Sequence, residues 1–215
     1  MKTTQTLIEQ LSGEASLPTK PRSPRYWAVR LLVVLALYGV GAQFYLGLRP
    51  DLAMQCTRTL FVIEIALLAA LLLASALASL LAMAPDAYQK TALLRLPYAI
   101  FATLVAIVAY QWFLPLDARM VMPEASGHHM ECALFIAAAA LLPSAMIFAL
   151  LRKGASVRPL QAGAFAVLTA GSIGALTLRL AEANDSIMHL AGWHYLPTFF
   201  FAAIGALLGK QLLKW

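Results

Sequence analysis

Four histidines and two cysteines are the side chains of this 215-residue chain best suited to metal or redox chemistry. The histidines, His128, His129, His189 and His194, fall in two short stretches shared with Cys132, Met120, Met122, Met130, Met188, Glu124, Glu131, Glu182 and Asp185. Imidazole, thiolate and thioether together favour a soft metal ion, zinc or copper, over calcium or magnesium. The densest string is His128-His129-Met130-Glu131-Cys132. Its spacing matches no HExxH-type metal motif, so loop histidines that merely titrate are the competing reading. Cys56 and Cys132 are too few for a disulfide framework, and no CxxC is present for a thiol oxidoreductase. No other cofactor is implied.

The elements that must position these groups are membrane spans. The chain is 61% hydrophobic and 12% charged, with mean hydropathy +0.77. Soluble domains carry about 45–50% apolar and about 25% charged residues. This composition excludes a soluble enzyme, a disordered regulator and a disulfide scaffold. About 20 apolar residues cross a bilayer as a helix, and six segments qualify: 27–46, 60–84, 96–116, 132–151, 159–180 and 193–213. They are rich in Ala, Leu and Gly without strand-like alternation, so the fold class is all-α, a six-helix transmembrane bundle.

Basic residues set the orientation. With the N-terminus inside, twelve of the sixteen Lys and Arg fall on the cytoplasmic side, leaving only Arg49, Arg58, Arg119 and Arg179 outside. Both termini are therefore expected in the cytoplasm, with all four histidines and both cysteines at the outer face. The net charge of +6 then reflects topology and implies no nucleic-acid partner. No cleavable signal peptide is evident, because the first apolar run begins near Trp27 and exceeds a signal core. Gly163, Gly171 and Gly174, and the Gly205/Gly209 pair, allow close helix approach, within the bundle or between copies.

The chain divides into a cytoplasmic segment, 1–26, and a six-span domain, 27–215. In the first, Thr3 or Thr4 can cap a short helix whose edge carries Leu7, Ile8 and Leu11, ahead of a Pro-rich basic linker. So short a helix is marginal alone in water and should order on a protein partner or on the bilayer. Glu64 is the one acid inside a span, and pairing with Arg58 or Arg179 is the expected outcome. No nucleophile elbow, phosphate loop or pair of buried acids points to an enzyme.

Several strings, in order, carry a resemblance: Thr6–Leu11 with its Pro/Arg linker, Leu48-Arg49-Pro50-Asp51-Leu52, and Glu64. Others follow at Glu131–Ile136, Leu142-Pro143, Leu151–Ala155, Arg158-Pro159, Asn184-Asp185-Ser186, Trp193-His194-Tyr195 and Gly205–Gly209. Over nearly its whole length the chain resembles the NrsF-type family of bacterial six-span membrane anti-sigma factors. The resemblance implies that residues 1–26 hold an extracytoplasmic-function sigma factor at the inner membrane. It also implies release on metal or oxidative stress, through a pair of outer cysteines. Cys132 matches the first of the pair, whereas Glu182 stands where the second is expected. Three readings stay open: a different disulfide between Cys56 and Cys132, Glu182 joining Cys132, His128, His129 and His189 as a carboxylate ligand, or an inert Cys56. A small metal-ion transporter or channel with an outer His/Cys/Met vestibule is the competing function, disfavoured by spans so bare of polar groups.

Overall fold

A computed structural model describes residues 3–14, 24–111, 113 and 129–213. Every regular element among the described residues is helical. Helix α1 (Thr4–Glu14) precedes the bundle, and six segments are long and apolar enough to cross a membrane. They contain α2 (Pro24–Leu46), α4 (Thr59–Ala82), α5 (Thr91–Gln111), α6 (His129–Leu151), α7 (Pro159–Ala181) and α9 (Leu196–Leu212); short α3 (Leu52–Gln55) and α8 (Ile187–His189) lie between them. Thr3 caps α1, its Oγ1 accepting from the Thr6 amide at 3.4 Å.

Two spans start earlier than hydropathy indicates. A 3₁₀ turn at Pro85–Lys90 leads directly into α5, and its Asp86, Gln89 and Lys90 mask the helix in any hydropathy window. The sixth span starts at Ile187, because α8 and a π-helical turn, Leu190–Tyr195, run unbroken into α9. His189 and His194 lower the apolarity there.

Helix α7 is the hub, packed against α9, α4, α6 and α2. Its small residues make this possible. Gly163 faces Gly205 and Gly209 of α9, and a Cβ on Gly163 would sit 2.6 Å from the Gly209 Cα. Gly163, Gly171, Gly205 and Gly209 are thus consumed in packing α7 on α9, and Gly174 in packing α7 on Ile136 of α6. Ser75 of α4 and Thr169 of α7 add a hydrogen bond of 3.0 Å across the same hub. The core has one cluster around Phe165, Ile147 and Leu151 and another, towards the opposite end, around Leu68, Ile136, Leu178 and Cys132.

Gly163→Leu should therefore destabilise the protein by about 3 kcal/mol or more, the upper end of overpacking costs, since only backbone lies opposite. Gly41→Ala, where a Cβ meets nothing within 4 Å, should be neutral. Thermal unfolding of both variants in detergent tests this, and equal midpoints would contradict the packing argument.

Candidate metal centre at one end of the bundle

Cys132 lies in the first turn of α6, Glu182 closes α7, His189 immediately precedes the π turn and His194 lies within it. The four donor atoms lie within 4.8 Å of one another. Cys132 Sγ donates to Glu182 Oε2 at 3.4 Å and lies 3.6 Å from His189 Nε2. His189 Nε2 is 3.0 Å from Glu182 Oε1, and His194 Nε2 is 3.0 Å from Glu182 Oε2. Cys132, His189 and His194 are buried.

The π turn explains how two histidines five residues apart converge. At 100° per residue, an α-helix would point them about 140° apart. A turn with i→i+5 hydrogen bonds winds more slowly and returns both imidazoles to one face, with ring centroids 5.1 Å apart. Glu182 receives both. Burial pushes its carboxyl up, but the hydrogen bond from His194, the charges of His194 and His189 and the Cys132 thiol together bring it down to about 2.

The donors fit a zinc-class ion. Tetrahedral zinc, at about 2.3 Å from sulfur and 2.0–2.1 Å from nitrogen, separates those ligand atoms by roughly 3.5 Å; Sγ and His189 Nε2 are already 3.6 Å apart. One thiolate and one carboxylate balance a divalent charge. His194 Nδ1 is buried without a partner among the described residues, as for an imidazole held by its other nitrogen alone.

Beside the cluster runs a buried ionic lattice. Asp185 accepts two hydrogen bonds from Arg49 at 2.9 Å, one from Arg179 at 2.6 Å and one from Gln55 at 2.9 Å. Arg179 also clasps Glu64 at 3.1 and 3.2 Å, and the Tyr195 hydroxyl donates to Glu64. Phe61 lies beneath both guanidiniums, 4.8 Å from Arg179 and 5.6 Å from Arg49, where its π face attracts cations. The two assemblies share backbone: Glu182 and Asp185 sit in one loop, and His194 and Tyr195 are adjacent.

Of the residues singled out in the sequence, Cys132, Glu182 and His189 come together, and Glu64 takes Arg179 rather than Arg58. His129 opens α6, and His128 lies outside the described residues. Cys56 is an exposed free thiol and is not among the cluster donors. Leu7, Ile8 and Leu11 are exposed on α1. His194, Arg49 and Asp185 are the participants that sequence reasoning did not assign to a site, whereas Arg179 was an expected partner of Glu64; the Trp193-His194-Tyr195 string was the available signal for His194.

A family model described as negative regulator of sigma F, NrsF, matches residues 11–215. No curated protein and no solved structure matches the chain.

Proposed function

We propose, for a chain that belongs to the NrsF family of negative regulators of sigma F, that it tethers an extracytoplasmic-function sigma factor to the inner membrane. Release follows when a soft metal ion or an oxidant acts on Cys132, Glu182, His189 and His194. Both termini lie in the cytoplasm in this reading, as the excess of basic residues at their end of the bundle favours. The chain is a regulator, not an enzyme. Its partners are the sigma factor and the lipid bilayer.

The observation that carries the proposal is a separation of parts. Four convergent donors occupy one end of the bundle. Helix α1, which precedes α2 in the chain, offers Leu7, Ile8 and Leu11, each about half exposed, as an apolar edge. A segment that orders on contact relies on a few buried anchors for its affinity. The shared loop 182–186 gives the donors a mechanical route into the bundle, because Asp185 grips Arg49 after α2 and Arg179 in α7. A ligand shifts such an equilibrium only as far as it prefers one helix arrangement.

The test is co-purification of a sigma factor with full-length protein, with a form lacking residues 1–25, and with Leu7→Asp/Leu11→Asp. We expect capture by the first alone, and an active sigma regulon in cells carrying the double variant. Repression that persists at normal protein levels would remove α1 from the mechanism.

A further inference from the structure

We propose that the seam between α2 and α6 is a binding site for one anionic phospholipid, its phosphate held by Arg30 and Lys153 and one acyl chain lying along the seam. Its headgroup end, at Arg30 and Lys153, lies at the opposite end of α6 from Cys132, and the site does not depend on the sensing proposal.

The residues of α2 that face α6 recur at helical spacing: Trp27, Arg30-Leu31, Val34, Leu37-Tyr38 and Gly41-Ala42. They do not close on their neighbour. At the end where α2 begins, a cavity of about 250 Å³ opens between Leu31 and Val34 on one side and Met146 and Leu150 on the other. Midway, the Tyr38 hydroxyl reaches the Ala139 carbonyl at 2.9 Å. Beyond it a second cavity, of about 550 Å³, opens where Gly41, Ala42 and Ala138 are too small to fill it. From Arg30 to Ala42 the helix rises about 18 Å at 1.5 Å per residue. A single leaflet is about half of ~30 Å, so the seam has the length of one lipid tail.

The charge at its mouth selects the headgroup. Trp27 lies between two cations, 6.0 Å from Arg30 and 5.4 Å from Lys153, so indole, guanidinium and ammonium share one rim of the cavity. Neither cation has a carboxylate partner among the described residues, and Asp86, an acid at the same end of the bundle, is engaged by Lys90 at 2.9 Å. A guanidinium and an ammonium converging beside an interfacial tryptophan match a phosphodiester, and basic pockets between spans are a recurrent mode of anionic-lipid binding. Lipid in the seam would join α2, which follows α1, to α6, which carries Cys132.

The experiment uses full-length protein in detergent, titrated with phosphatidylglycerol or phosphatidylcholine and read by native mass spectrometry. We expect one phosphatidylglycerol per chain, retained at least tenfold better than phosphatidylcholine and not displaced by inorganic phosphate. Arg30→Gln/Lys153→Gln should lower that retention at least tenfold, with Arg95→Gln unchanged. Ala149→Phe fills the seam without altering charge and should do the same, which preserves the test if the double variant folds poorly. Equal retention of both lipids overturns the proposal, as does retention indifferent to both seam variants, or displacement by inorganic phosphate. A dimer that the seam variants dissociate would likewise overturn it, making the seam a self-association face.

Discussion

Arg179→Met is expected to be the most damaging single change in the chain, costing about 3–5 kcal/mol. Arg179 is 1% exposed and is the shared cation of Glu64 and Asp185, themselves 2% and 1% exposed. Removing it takes from Glu64 the guanidinium that clasps it and leaves Asp185, among the described residues, with Arg49 alone. Breaking a buried pair costs about this much because an uncompensated charge stays behind, whereas replacing both partners by apolar groups is often neutral. Arg179→Met/Glu64→Leu should therefore recover part of the loss, and the double-mutant cycle isolates their coupling. Thermal unfolding in detergent, followed by tryptophan fluorescence, gives all three values. A single variant that melts with wild type would mean that the lattice contributes nothing to folding.

The same lattice sets the response to acid. Hydrogen bonds from Arg49 and Gln55 hold the Asp51 carboxyl well below the usual range. Burial pushes Asp185 up, but Arg49 and Arg179 bring it down on balance. A carboxyl depressed in the folded state stabilises it above the unfolded value, near 3.9, and that contribution fades as pH falls through the folded value. Stability from this source should be flat between pH 5 and 8 and fall only below about pH 4. Arg49→Gln should move the acid limb upward, and an unchanged limb would place the acid-sensitive step elsewhere.

The spans are legible in the sequence because hydrocarbon permits little besides long apolar helices, and runs such as Leu60–Ala82 carry that constraint openly. Three of the four cluster donors, Cys132, Glu182 and His189, are legible in the sequence. Cys132 and Glu182 stand out through the resemblance to a family with a cysteine pair. His194 does not, because the five-residue step from His189 points away on any ordinary helix and returns only through the π turn. The lattice is hidden for a related reason. Arg49 and Asp185 lie 136 positions apart, in segments that pass for polar loops until α7 draws them into contact. Arg179, seven residues short of Ser186, passes for an outer-loop cation although it is one of the most buried groups in the molecule.

In the proposed metal centre, loss of zinc binding is the second large effect expected, and it separates the four clustered donors from their neighbours in sequence. Cys132→Ser, Glu182→Gln and His194→Ala should each weaken zinc binding by about 100-fold or more, since even outer hydrogen-bond partners of a metal site are worth 10–100-fold. His128→Ala/His129→Ala should leave it unchanged. The reason is coordination number: four protein donors complete a closed zinc site, and Cys132, Glu182, His189 and His194 already supply four. Competition against a chromogenic chelator measures the affinities on purified full-length protein. Cobalt adds a second readout, a thiolate charge-transfer band that Cys132→Ser abolishes and Glu182→Gln only shifts. In cells, the variants that lose metal should keep basal sigma binding yet respond weakly to the metal, because none of them alters α1. The contrast with a Cys56–Cys132 disulfide is direct. Such a bond needs Cys56 and ignores Glu182 and His194, so induction lost in Cys56→Ser but intact in Glu182→Gln and His194→Ala would replace the metal centre with a redox switch.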